Sequence, residues 1–278
     1  MSRIWFFLAV LTLPLCALAQ LDSVPYFPQT PAKPFEVGPP KSKFNRKDAV
    51  MMVMRQTNIY NQFKNPYDPS LVAHFQFADV NSDGFPDAVY PGTGELQRTF
   101  IAVMKDMQYV LIFDEPGAIA DWDSIGSIVH LTLREDAQAP ERYLQHLRRY
   151  ALDKKSNKSQ MLWQMAWFGN QLPQQTFETP LVRQVSVAGR VRHSAELKNE
   201  PVVDYNADKK PDGTGNILAV LPPATRIRAL SATKNGADDF IFVIAPAKGL
   251  PPGHVLYGIE GKPAWVAGWV LASELSDL

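Results

Sequence analysis

Cysteine is almost missing from this chain: Cys16 is the only one in 278 residues. It lies inside the apolar run IWFFLAVLTLPLCALA near the amino terminus, so no intramolecular disulfide can form anywhere. Histidine is scarce as well. None of His74, His130, His146, His193 and His254 stands three or four residues from another, and no H-E-x-x-H occurs, which removes the usual helical metal pair. The G-x-S-x-G elbow is absent too, so the common serine and cysteine hydrolase signatures are missing. Ser231 to Lys234 spells S-x-x-K in what reads as a polar turn, without its partner motifs. His74 and His130 fall in strand-like stretches, where histidine is more often structural than catalytic. Neither sign of charge prevails, with 28 Lys plus Arg against 28 Asp plus Glu; there is no basic footprint for nucleic acid and no acidic tail.

What is present begins with an address. Arg3 precedes the apolar run, and Ala17, Leu18 and Ala19 close it. The run is too short for a membrane span and has the form of a signal peptide over residues 1–19, cut after Ala19. A lipid-anchored Cys16 is the competing reading, but Leu15 stands where such sites place a small residue. A periplasmic or secreted protein without disulfides is then expected, held by hydrophobic cores, bound metal or both. The remaining length suits two domains.

Residues 20–43 form a Pro-rich segment, with Pro25, Pro28, Pro31, Pro34, Pro39 and Pro40. They predict an extended tether or, equally, a segment laid against the first domain. From Val50 to Leu133 the apolar pattern is strand-like: LVAHFQF, DAVY, RTFIAVM, YVLIF and IVHLTL, with KDMQ as a hairpin turn. APERYLQHLRRYALDKK follows, with Tyr143, Leu144, Leu147, Tyr150 and Ala151 spaced as on an amphipathic helix. MLWQMAWF is too short and too apolar to assign by periodicity. Beyond Thr176 short strands return, separated by Gly- and Pro-containing turns. Domains are expected at 44–175 and 176–278.

The stretch FADVNSDGFPDAVY places Asp79, Asn81, Asp83 and Asp87 at positions one, three, five and nine of a loop, with Gly84 at six and the Phe85 carbonyl at seven. Calcium takes six to eight oxygens, and alternate residues of a tight turn supply them. An Asx-rich turn without metal is the alternative. The twelfth position is Tyr90 and Pro91 follows, so this is not an EF-hand. The loop between two apolar strands resembles the calcium loops of FG-GAP or VCBS-type repeats, the blades of integrin-like propellers, over Leu71 to Phe113. AIADWDSIGSIVHL, with Asp121 and Asp123, is at most a degenerate second copy. VVDYNADKKPDGTG repeats the spacing through Asp204, Asn206, Asp208 and Asp212, a possible second metal loop, but Lys209 replaces the turn glycine.

The segments VRHSAELKNEPVVD, GNILAVLPPATRIRALS and PAWVAGWVLASEL, closing on Gly268, Trp269, Val270 and Leu275, resemble bacterial Src-homology-3-like domains. That resemblance implies a small barrel binding peptidoglycan stems or peptides. Strand alternation makes Trp269 core and puts Tyr257 and Trp265 on a possible ligand surface.

The expected fold is therefore mainly β with some α: a small antiparallel blade-like sheet plus a helix, then a small Src-homology-3-like barrel. The expected function is an exported, non-enzymatic calcium-binding protein. Its barrel docks a peptide, peptidoglycan or a protein partner, with no nucleic acid and no membrane span in the mature chain. A periplasmic inhibitor or immunity protein and a cell-wall hydrolase are the alternatives.

Overall fold

A computed structural model of the chain describes residues 25–28, 43–66, 68–93, 96–135, 144–168, 172–173, 176–197, 216–247 and 264–277. The leader, most of the Pro-rich segment, the second acidic loop at residues 204–212 and Tyr257 lie outside these residues. Among the described residues, no helix is long and apolar enough to cross a membrane.

The amino-terminal half is built in three layers. Helix α1 (Arg46–Gln56) starts at Asn45, whose side chain accepts the N–H groups of Lys47 and Asp48; such a cap contributes about 1 kcal/mol. Its buried residues Ala49, Val50, Val53 and Met54 repeat at helical spacing. This helix falls partly in a stretch whose pattern is mostly strand-like and in which no helix was expected. It covers one face of an antiparallel sheet of four strands, β1 (Gln76–Ala78), β2 (Asp87–Pro91), β3 (Arg98–Lys105) and β4 (Gln108–Pro116), ordered β1-β2-β3-β4. Leu71–His74, expected as strand, forms a single helical turn, α2.

Ala88, Tyr90, Phe100 and Ala102 meet α1, while Val89, Ile101 and Phe113 face the other way. Both faces are therefore covered, which is why FIAVM, residues 100–104, is apolar at every position rather than alternating. The KDMQ turn is a hairpin, with Asp106 and Met107 both at positive φ, as two-residue hairpin loops require.

The second face packs on a meander of β5 (Ala118–Ile125), β6 (Ile128–Glu135), β7 (Leu144–Asp153) and β8 (Lys158–Phe168). Val129, Leu131, Leu133, Tyr150 and Leu152 meet Val89, Ile101 and Phe113, and the Phe113 and Tyr150 rings stand edge to face at 5.1 Å. Residues 144–153, expected as a helix, are the strand β7, paired along its length with β6 and β8. The physical cause is burial on both faces. Leu147 belongs to one side of the sheet and Tyr150 to the other, so two apolar rows interleave into the three- and four-residue spacing of a helix. The helix expected here is therefore not formed, and α1, which the pattern did not announce, is the longest helix among the described residues. MLWQMAWF lies in β8.

Beyond Thr176 come β9 (Leu181–Val185), β10 (Gly189–Arg192), β11 (Ile217–Leu221), β12 (Arg226–Asn235), β13 (Asp238–Pro246), β14 (Ala264–Leu271) and β15 (Leu275–Asp277). They surround a core of their own that includes Val185, Val191, Leu221, Ile227, Val243, Val266 and Val270. This part is built of strands, as expected, and they pair antiparallel with one another, but among the described residues they do not close the expected barrel. The path runs β15-β9-β12-β13-β14, and β14 then pairs in parallel with β8 through Ala264–Gln164 to Ala267–Trp167. One sheet therefore runs through the boundary at residue 176. A buried pair, Arg192 with Glu274, ties β10 to the short 3-10 turn before β15.

Candidate functional site

The acidic loop joins β1 to β2 and is folded by its own side chains. Ser82 and Gly84 both take positive φ, which turns the chain sharply. Asp79 Oδ2 accepts the Gly84 N–H across the loop at 3.1 Å. Asn81 Oδ1 accepts Asp83 N–H, and Asp83 Oδ1 accepts Phe85 N–H, two successive Asx turns. Asn81 Nδ2 donates to Asp83 Oδ2 at 2.8 Å. Asp87 is fully buried. Its Oδ2 accepts from Val80 at 2.8 Å and Asn81 at 3.2 Å, and its Oδ1 accepts from Met104 at 2.8 Å. Burial pushes its carboxyl up to about 7, against the pull of these three N–H groups.

Five candidate ligands thus share one loop, yet they are not equivalent, and among the described residues no three carboxylate or histidine side chains are grouped closely enough to hold a metal ion. Asn81, Asp83 and Phe85 are partly or fully exposed at its tip, whereas Asp87 serves the backbone beneath. Asp79 Oδ1 is buried with no hydrogen-bond partner. An unpaired carboxylate oxygen in that position is costly, and a cation is one partner that would relieve it.

A second cluster occupies the face of the large sheet that turns away from the first four strands. Asp121 and Asp123, expected at most as a degenerate calcium loop, lie in strand β5. His130 Nδ1 meets Asp123 Oδ1 at 2.7 Å. Arg149 donates to Asp123 Oδ2, to Thr132 Oγ1 and to the Tyr26 hydroxyl, and Tyr26 in turn donates to Asp121 at 2.6 Å. Burial works to raise the Asp123 carboxyl, but the hydrogen bonds from His130 and Arg149 outweigh it and hold it low. Burial, helped by the Asp121 bond, raises the Tyr26 phenol to about 12, so it remains a donor.

Next to this polar end the same face turns aromatic, with Trp163, Trp167, Phe242 and Trp269 in one cluster. Tyr26 stands edge to face with Trp163 at 5.9 Å, and Phe27 with Trp167 at 5.2 Å. Pro25 to Pro28 therefore lie against the sheet, the second of the two readings given for this segment, although they contact the junction of both halves. The indole N–H groups of Trp163, Trp167 and Trp265 are buried and lack partners.

Trp269 is buried, as its strand position implied, and Trp265 is half-buried beside the same cluster. His74 sits at the end of a helical turn, edge-on to Tyr90 at 6.5 Å. Ser231 and Lys234 lie in strand β12, not in a turn. Tyr26, Phe27, Arg149 and Thr132 were not singled out by the sequence. Tyr26 and Phe27 carry one local signal, the P-Y-F-P spelling of residues 25–28, two aromatics between prolines, while Thr132 and Arg149 carry none. Compared with protein-family models, curated proteins and solved structures, the chain matches none.

Proposed function

We propose that the chain is an exported, non-catalytic docking protein whose loop 79–87 seats a structural calcium ion. Asp79, Asn81, Asp83, the Phe85 carbonyl and Asp87 would hold it, and bound there it neutralises the loop's carboxylates. The carrying observation is Asp79 Oδ1, buried and unpaired in a loop whose oxygen order suits that ion. Asp87 would join the set only by giving up part of its hold on the backbone, since both its oxygens already accept N–H groups. The setting between two antiparallel strands agrees with the FG-GAP resemblance. The carboxyl-terminal strands, which resemble Src-homology-3-like domains, carry the docking role.

The test is thermal unfolding of the wild-type chain and of Asp83→Ala, each with calcium and with chelator. Calcium at a hundred times its Kd should raise the wild-type Tm by about 5 °C or more, and Asp83→Ala should lose that rise. Coincident wild-type curves with and without calcium would overturn the reading.

A further inference from the structure

The aromatic slot at the junction of β8, β13 and β14 is already filled by a short peptide, and that peptide belongs to the chain itself. Pro25 to Pro28 bring two rings to the sheet, and each ring meets a different environment. The Tyr26 ring rests edge-on against Trp163 while its hydroxyl reaches Asp121 at 2.6 Å, Thr132 at 3.2 Å and Arg149. The Arg149 guanidinium also lies over the same ring, 5.2 Å from its centre. Phe27 fits between Trp167 and Phe242, at 5.2 and 5.8 Å. One end of the slot therefore reads a phenol and the other a plain aromatic ring.

The fit is incomplete in one respect. The indole N–H groups of Trp163, Trp167 and Trp265 are buried without acceptors, although Trp163 is wholly enclosed. Buried donors of this kind are normally paired. Tyr26 and Phe27 leave these donors without an acceptor, and the carbonyl oxygens of an extended peptide are acceptors of the right kind. Pro25 and Pro28 lack an N–H and favour an extended backbone, and the contacts described for the strap are those of its two rings and the Tyr26 hydroxyl, a hold that a competing peptide can replace.

We propose that this slot is a recognition site for an extended segment of a partner protein carrying a tyrosine followed by a second aromatic residue, and that Pro25–Pro28 is an internal mimic that occupies it in the absence of the partner. The proposal rests on the reading of the chain as a docking protein and places the docking surface across both halves. It is independent of calcium, so the two fail separately: the calcium-dependent rise in Tm is measured on the unaltered chain with no peptide present.

The test uses the full chain with Tyr26→Ala and Phe27→Ala together, titrated calorimetrically with the synthetic peptide VPYFPQ. The expected result is one peptide bound per chain, at least about tenfold weaker when the peptide's tyrosine is replaced by phenylalanine. Binding to the wild-type chain should be weaker still, because its own strap competes at an effective concentration of about millimolar. The indole N–H resonances of Trp163 and Trp167 should shift on binding. A cooperatively folded double variant that takes up no peptide, or takes up both peptides equally, overturns the proposal. So does a wild-type dimer that dissociates on removal of the two rings, since the slot then serves a second copy of this chain. If the double variant does not fold, Tyr26→Phe replaces it: the tyrosine peptide should perturb its indole resonances at lower concentration than those of the wild type, and equal responses overturn the proposal.

Discussion

Asp87 on β2 accepts the backbone N–H of Met104 on β3 at 2.8 Å with one carboxylate oxygen, and with the other it accepts Val80 at 2.8 Å and Asn81 at 3.2 Å. A single buried side chain thereby fixes the start of the acidic loop to the sheet beneath it. Asp87→Ala leaves three N–H groups without their acceptor, each costing about 1–3 kcal/mol if it stays buried. Equilibrium urea unfolding should show a loss of about 3–5 kcal/mol. Asp87→Asn should cost less, since the amide oxygen still accepts while the amide nitrogen opposes one donor. A loss below about 1 kcal/mol for the alanine variant would mean that the loop finds other acceptors.

The same carboxylate sets a pH dependence. Burial raises it to about 7 in the folded chain, against about 4 when unfolded, so the folded state binds its proton more tightly. Its contribution to stability is therefore fully present below about pH 4 and is lost as pH rises through 7. Glu135 works in the opposite sense. His146 and then Arg148 hold it down at about 2, so its contribution is complete above about pH 4.5 and is lost as pH falls toward 2. In chelator, wild-type stability should gain on Asp87→Asn between pH 7 and pH 5; parallel stability curves for the two proteins would show that Asp87 does not titrate there.

How far the sequence reveals this architecture depends on the range of the interactions. The acidic loop is legible because Asp79, Asn81, Asp83, Gly84 and Asp87 act within nine residues, through turns that the residues themselves specify. Most strands are legible because each shows a β pattern between turn residues. Strand β7 is not, since Leu147 and Tyr150 serve opposite faces and mimic helical spacing. Helix α1 carries legible signals, a capping Asn45 followed by Ala49, Val50, Val53 and Met54, but a short helix among strand-like runs is outweighed by its neighbours. The Tyr26 cluster is illegible for a deeper reason. Tyr26 and Arg149 are 123 residues apart, and strand register alone brings Asp123, His130 and Arg149 side by side.

Gly268, in the closing GWV stretch, lies where β14 passes under β10. A side-chain carbon there would sit 2.5 Å from the Arg192 carbonyl oxygen and 2.7 Å from Val191. The first contact is backbone and cannot swing aside. Gly268→Ala should therefore destabilise the chain by about 1–3 kcal/mol, and hydrogen exchange should locate the loss at β10 and β11. Unchanged protection of those strands would mean that β10 shifts without cost.

Arg149 is the hub of the polar cluster, and it is not replaceable by another cation. Its guanidinium reaches Asp123, Thr132 and Tyr26 at once, a fork that a single ammonium cannot copy. Arg149→Met leaves Asp123 without its guanidinium partner and should cost about 2–3 kcal/mol, below the range for fully enclosed pairs because solvent reaches the Asp123 side chain, 39% exposed, and screens it. Arg149→Lys should recover little of that loss. A double-mutant cycle with Asp123→Asn should give a coupling of about 1 kcal/mol that shrinks in high salt. If the coupling is zero while Arg149→Met still destabilises, the hold comes through Tyr26 and Thr132. In that case the cost of Arg149→Met should fall in a Tyr26→Phe background, where the strap hydroxyl is already gone.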